Sequence, residues 1–295
     1  MAIQLLTNDE GKLPSEKDYQ WFSEQFEKSY IDLSQKPKRP EGVISIGKET
    51  GFDGNEYANH IFTKGELSVI SAPSKTFKST FKSHLASVYF TGQSNEFQEM
   101  RGHRKDNETI VDIDTEMGDY NAWNTFYRTK RICNDADLSE CYYPFKLRHM
   151  NSEKRVEFID MLLESRKIHK PAIIFIDGIA DLIDDSNDLV MSNQIISTIM
   201  RWTDEYKIHV NTIIHNAYGT NKPTGHLGSA STKKAETVIN IKETSEKSNI
   251  FEVKHQYSRG AKFDDFYFEH DNKQKVLRQV DEPDSASAES ETLDF

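Results

Sequence analysis

The chain has 295 residues, of which 36% are hydrophobic and 29% charged, and a formal charge of −11. This length allows one large domain or two small ones, with a core beneath a very polar surface. No apolar run approaches a membrane span, and the acidic balance excludes nucleic-acid binding through bulk charge, so any such site must be a local basic patch.

The N-terminal stretch "MAIQLLTNDEGK" has neither a basic start nor a long apolar run, so no signal peptide is expected. Residues 14 to 33 predict an amphipathic helix. Ser15 and Asp18 have capping-box spacing, and Tyr19, Phe22, Phe26 and Tyr30 recur at helical spacing. The Pro- and Lys-rich "SQKPKRPEG" then reads as a linker. The helix either packs on its own domain or forms an arm that docks on a neighbouring subunit; amphipathicity says only that one face is buried.

From about residue 45 the pattern alternates strand and helix. Apolar runs at 67–71, 109–114, 172–177 and 210–215 predict strands, and 78–90, 119–132, 152–168 and 189–206 predict helices. Such alternation implies a mostly parallel sheet with helices on both sides. Three strand-like runs, "TVINIK", "IFEVKH" and "DFYFE", follow closely and predict closing antiparallel hairpins. The expected organisation is an N-terminal helix and linker over 1–44, an α/β core over 45–275 and an acidic disordered tail over 276–295. The last fifteen residues carry six acids and no base, and without them the charge falls to −5. Cys133 and Cys141 lack metal-type spacing and are expected to be reduced thiols of a cytoplasmic protein.

Four features carry chemistry. The first is "APSKTFKST", Ala72 to Thr80, set between a predicted strand and a predicted helix. A phosphate-binding loop follows G-x-x-x-x-G-K-[ST], and its backbone N–H groups and helix N-terminus wrap phosphates. Ala72, Pro73, Ser74, Lys75, Thr76 and Phe77 would form the wrap here, with Lys78 on the β- and γ-phosphates and Ser79 on magnesium. Both glycines of the pattern are replaced, by Ala72 and Phe77. The ring of Phe77 is expected to point into packing while its N–H faces phosphate. A chance Lys-Ser on a surface helix is the plain alternative.

The second feature is "PAIIFID", which places Asp177 at a strand end, where ligands bind in parallel sheets and where it could support magnesium. An ordinary buried strand can also end in Asp. The third is "IVDIDTE", whose Glu116 could orient or deprotonate an attacking water, or merely cap a helix. The fourth is His215, which ends another predicted strand and could sense a terminal phosphate. A lone histidine does not establish that role. All four lie at C-terminal strand ends.

With these residues in place, the sequence resembles the RecA-type P-loop ATPases over about residues 45 to 270. "APSKTFKS" is similar to the P-loop of the strand-exchange recombinase of T4-like phages. "DTE", "IDGIADL" and "IIHN…GHLGS…KAETVI" resemble the RepA/DnaB-like hexameric ATPases of plasmids, phages and mobile elements. The resemblance implies a magnesium-dependent ATPase that assembles as a ring, most often a hexamer, on single-stranded DNA. It implies a trans-acting finger, for which Arg259 is the first choice and Lys254 the second. It also implies DNA contacts from the loop after residue 215, expected to be mobile and Gly-rich, with Lys222, His226, Lys233 and Lys234. Arg101, His103, Arg104 and Lys105 lie in a stretch, 91–108, that could be another basic contact but is expected rather to be a solvated insertion. The acidic tail could bind a replication partner or simply add solubility. A replicative helicase is the leading expectation. A recombinase filament and a nucleotide-binding regulatory or scaffold protein with little turnover are the alternatives.

Overall fold

The computed structural model describes residues 15–94, 96–97, 99–244 and 249–283. Two compact units divide the chain, Met1–Arg39 and Pro40–Phe295. The first contains α1, Glu16–Ser29, shorter at both ends than expected. Its capping box is formed: the Asp18 N–H donates to the Ser15 hydroxyl and the Ser15 N–H donates to the Asp18 carboxylate. Phe26 stacks on Tyr30 and lies against Phe22. All four aromatics of the stripe are nevertheless 50–67% exposed.

The second unit opens with an antiparallel pair, β1 (Gly42–Thr50) and β2 (Glu56–Thr63). The chain then enters β3 (Leu67–Ala72), α2 (Lys78–Thr91) and the short β4 (Met100–Gly102). It continues through β5 (Thr109–Asp114), α3 (Asp119–Ile132), β6 (Tyr142–Lys146), α4 (Ser152–Glu164) and β7 (Pro171–Asp177). After a short 3-10 helix, Ile179–Leu182, come α5 (Leu189–Tyr206), β8 (His209–His215), α6 (Gly225–Lys234) and β9 (Thr237–Glu243). The antiparallel strands β10 (Ile250–Ser258), β11 (Phe266–Asp271) and β12 (Val276–Val280) end the described fold.

Among the described residues these strands form two sheets. The large sheet has the order β12-β11-β10-β9-β3-β8-β7-β5-β6. Strands β9, β3, β8, β7, β5 and β6 run parallel, and β10, β11 and β12 extend the β9 edge in antiparallel fashion. The chain is therefore α/β, with a large, mostly parallel sheet flanked by helices. Apolar runs such as "AIIFI" arise because both faces are covered. Ile173 and Phe175 pack on the side of α2 and the small sheet, whereas Ile174 and Ile176 pack on the side of α4 and α5. No helix among the described residues is long and apolar enough to cross a membrane.

Several expectations are corrected. Two strands of the small sheet β2-β1-β4 precede the strand–helix alternation and the third lies between α2 and β5; β1 starts at Gly42, inside the expected linker. Residues 91–108 are not a solvated insertion: β4 pairs with β1, Phe97 and Met100 are buried, and His103 bonds Ser45. The helix expected over 152–168 ends at Glu164. The boundary placed after residue 275 cuts the sheet, because β12 pairs with β11 and buries Leu277 completely. Of the expected tail, residues 284–295 lie outside the described residues.

The segment expected as a mobile Gly-rich loop is helical from Gly225 to Lys234. Its glycines serve close packing. A Cβ at Gly228 would stand 2.6 Å from Pro223, and one at Gly225 would stand 2.6 Å from the Ser186 carbonyl oxygen. Gly228→Ala should therefore destabilise the protein by about 1–3 kcal/mol in urea denaturation. A mobile loop would tolerate the same change with no measurable loss.

Candidate functional site

Parallel pairing gathers the C-terminal ends of β3, β8, β7 and β5 at one edge. Ala72 lies opposite His215, and Asp114 lies opposite Asp177. Lys75, Thr76, Phe77, Lys78, Ser79, Asp114, Glu116, Met117, Asp177 and His215 line a cavity of about 330 Å³ at that edge. Four of the sequence-predicted groups, Lys78-Ser79, Glu116, Asp177 and His215, thus meet in one place.

The loop turns from β3 into α2 without glycine. Lys75 and Phe77 adopt positive φ, 65° and 60°. Helix α2 begins with Phe77 at its N-cap and no side-chain cap, so its first amides are open to an anion. The Thr76 hydroxyl closes the turn by donating to the Pro73 carbonyl at 2.8 Å. Phe77 sends its ring toward β10 and β11, against Phe251 and His270. Thr80 is buried behind the loop.

Lys78 is buried and folds back on its own loop. Its ammonium donates to the Pro73 carbonyl at 2.6 Å and the Ala72 carbonyl at 3.3 Å, and stands 3.2 Å from His215 Nδ1. Burial lowers its pKa to about 8, against the opposing pull of Asp177 and Glu116. His215 also approaches the Ser74 hydroxyl, at 3.3 Å, and Glu116, at 3.7 Å. The His215 ring, aided by Lys78 and opposed by partial burial, holds the Glu116 carboxyl below the ordinary glutamate range. Glu116 is therefore a carboxylate at neutral pH, half exposed at the cavity wall.

Beneath this surface lies a buried charge cluster that sequence reasoning missed. Lys82, one turn along α2 from Lys78, is completely buried; it donates to Asp112 at 2.6 Å and stands 3.5 Å from Asp177. Burial acts to lower its pKa, but Asp112 and Asp177 outweigh burial and hold it above the ordinary lysine value. The other Asp112 oxygen accepts from the Tyr142 hydroxyl at 2.6 Å. Asp114 accepts from the N–H groups of Glu116 and Met117; burial still raises its pKa. No signal marked Lys82, because α2 is buried on nearly all sides and shows no polar face to contrast with.

Two further side chains fix the loops after the strands. The Thr115 hydroxyl donates to carbonyls of Asp177 and Gly178, while Gly178 takes φ 99°. A Cβ on Gly178 would stand 2.2 Å from that hydroxyl oxygen, so only glycine fits. Arg155 donates to the carbonyls of Leu147, Asp181 and Thr115, tying together the loops that follow β6, β7 and β5.

One oxygen of Asp177, Oδ2, is buried without a hydrogen-bond partner. Among the described residues no cluster of three or more His, Cys, Asp or Glu could hold a metal by itself. A cation held by Ser79 and Asp177 would thus complete its shell with ligand oxygens and water, as magnesium does beside phosphates. The charge balance fits a divalent ion: Lys78 and Lys82 face Asp112, Asp114, Glu116 and Asp177.

The remaining candidates do not join this cavity. Arg259 follows β10 at the opposite, N-terminal edge of the parallel strands. It pairs with Glu66 at 2.7 Å and donates to the Lys234 carbonyl at 3.0 Å. Lys254 lies mid-strand beside Asp265 and Glu252. The basic set also splits. Lys222 lies in a tight turn after His215 and His226 in the first turn of α6, whereas Lys233 and Lys234 end that helix. No family model matches this sequence, and comparison with curated proteins gives no match.

Lys82→Met should leave Asp112 and Asp177 with uncompensated charge in the interior. The expected loss is about 3–5 kcal/mol of unfolding free energy in urea. A loss below about 1 kcal/mol would show the ion pairs to be energetically idle.

Proposed function

We propose that this protein is a RecA-like, magnesium-dependent ATPase. The observation that carries the reading is the convergence of Lys78, Ser79, Glu116, Asp177 and His215 on one cavity beside an uncapped helix N-terminus. Three phosphate groups need backbone donors and an ammonium, and residues 75–79 carry both. Lys78 would exchange the carbonyls of Ala72 and Pro73 for phosphate oxygens. Ser79 and Asp177 are the residues that would hold magnesium, whose chemistry is to neutralise charge on those oxygens.

Hydrolysis then needs a positioned water. Glu116, ionised and half exposed, takes the proton as the water oxygen bonds to the γ-phosphorus. The bond from that phosphorus to the bridging oxygen breaks, and its electron pair leaves with ADP. His215 touches both ends of this arrangement, Lys78 on one side and Glu116 on the other. On this reading it would register loss of the γ-phosphate and pass it to the turn at 216–224.

We further propose assembly as a ring, most simply a hexamer, that acts on single-stranded DNA as a helicase. The turn after His215 supports a nucleic-acid contact, since it presents Lys222 and the fully exposed Tyr218. A base and an aromatic ring suit sequence-independent stacking on a single strand. Arg259 would serve a neighbour's site by leaving Glu66.

DNA-stimulated ATP hydrolysis should vanish in Lys78→Ala, and kcat should fall about 10²–10⁴-fold in Glu116→Gln. Undiminished turnover in either variant would overturn the assignment. Arg259→Ala should keep nucleotide binding and lose turnover, with Lys254→Ala as the comparison.

Binding should also carry a pH signature. Phosphate requires the ammonium form of Lys78, which the free protein loses above about pH 8. ATP affinity of Glu116→Gln protein, measured calorimetrically, should begin to fall at a pH below that, because the substitution removes a charge that raises the Lys78 pKa. It should then weaken by up to about tenfold per unit as binding takes up a proton. A flat profile to about pH 9.5 would exclude Lys78 as the group that meets phosphate.

A further inference from the structure

Phe77 occupies the left-handed region, at φ 60° and ψ 26°, where a bulky L-residue is disfavoured. It does so at the position where phosphate-binding loops place glycine. The neighbouring fold must therefore over-determine this backbone, and the ring shows how. Phe77 lies nearly parallel to His270, with centroids 3.9 Å apart and planes at 13°. It meets Phe251 edge-on at 5.1 Å. Both partners belong to the antiparallel strands β11 and β10.

Those partners are themselves held. Phe251 stacks on Phe268, and Phe268 stacks on Phe81, which lies one turn along α2 from Phe77. His270 is buried; its Nδ1 lies 3.1 Å from Asn272 Oδ1, and its carbonyl accepts from Asn249 at 2.6 Å. Burial keeps the His270 pKa below the ordinary histidine value, so a neutral, flat ring faces Phe77. The aromatic cluster thus clamps the loop at its α2 end, where Phe77 is the N-cap, while the other end continues from β3.

We propose that His270 is a positioning residue for the loop: its ring, stacked on Phe77, holds residues 73–79 in the shape that glycine elsewhere permits. The ligand of that loop rests on the ATPase reading; the clamp does not. Phe77 is then more than core filling, because the stack fixes the backbone that presents the amides of the loop to an anion.

Two measurements on the full chain test this. In nucleotide-free protein, hydrogen exchange should quicken in His270→Ala at the Phe81 N–H, whose 2.8 Å bond to the Phe77 carbonyl joins the loop to α2. His270→Leu keeps bulk without a flat face and should do the same, whereas His270→Phe should restore protection. With magnesium and ATP, His270→Leu should raise KM about 2- to 10-fold, the range of an aromatic pair. kcat should change by no more than about twofold.

The decisive arm is Phe77→Gly, since glycine adopts this backbone unaided. In that background His270→Leu should alter neither Phe81 exchange nor KM. An equal effect in both backgrounds, or full protection in His270→Leu, would overturn the proposal. Faster Phe81 exchange in a protein that binds no nucleotide would keep the clamp and refute the ATPase reading. Nucleotide binding with Phe81 exchange indifferent to His270 would do the reverse.

Discussion

Parallel register is the constraint on which the site depends. Because β3, β8, β7 and β5 run the same way, their C-terminal ends gather at one edge, with Ala72 beside His215, Asp177 beside Asp114, and β8 running two residues past Asp177. Residues separated by more than a hundred positions in sequence meet without long side chains having to reach. The register also concentrates charge, and Lys82 offsets part of it from behind. Its ammonium lies inside the sheet–helix interface, bound to Asp112 and close to Asp177. Removing either sign would leave the other buried in a medium of low dielectric. Asp114 and Asp177 are therefore set in strands, whereas Lys75 to Phe77 lie in a turn.

Legibility in the sequence followed the source of each element's stability. Strands β5, β7 and β8 were readable because burial on both faces leaves an uninterrupted apolar run, as in "AIIFI". Helices α3 and α5 were readable to the residue, since each has an apolar stripe or a cap, with Asp188 accepting from the Met191 N–H at the start of α5. β1 and β2 were obscured because they bury polar Ser45 and Asn59 within their apolar pattern. β6 contains Pro144 and lies at the sheet edge, the place where a strand tolerates proline. β12 was concealed by its own polar Arg278 and Gln279 and by the acids that follow it, although Leu277 anchors it.

Helix α6 shows a different limit. "GHLGSASTKK" has poor helix propensity, and two glycines in ten residues suggested mobility. What makes it helical is contact: Leu227 and Ser231 are buried, and Gly228 lets Pro223 approach to a distance no side chain allows. Tertiary packing overrides local preference here, and composition alone carries no trace of it. The same holds for the site. Lys78, Ser79, Asp177 and His215 were legible because each ends a strand or starts a helix, and Glu116 because it follows the end of β5 by two residues. Lys82, Thr115 and Arg155 were not, because their roles lie in partners distant in sequence: Asp112, the Gly178 carbonyl, and three loop carbonyls.

The missing glycines follow from the same reasoning. Glycine gives a loop its left-handed residue at no steric cost, yet it also leaves that residue free to adopt others. A phenylalanine makes the opposite exchange. It carries backbone strain of about 1–2 kcal/mol, offset here by ring contacts to His270 and Phe251, each of a size to contribute about 0.5–1.5 kcal/mol. The balance is close to neutral for stability, but the loop loses its independence. Its shape becomes conditional on β10 and β11 standing where they do. A glycine loop is a local device; this one is a property of the whole sheet, joined through Phe77 to the antiparallel strands that close the described fold.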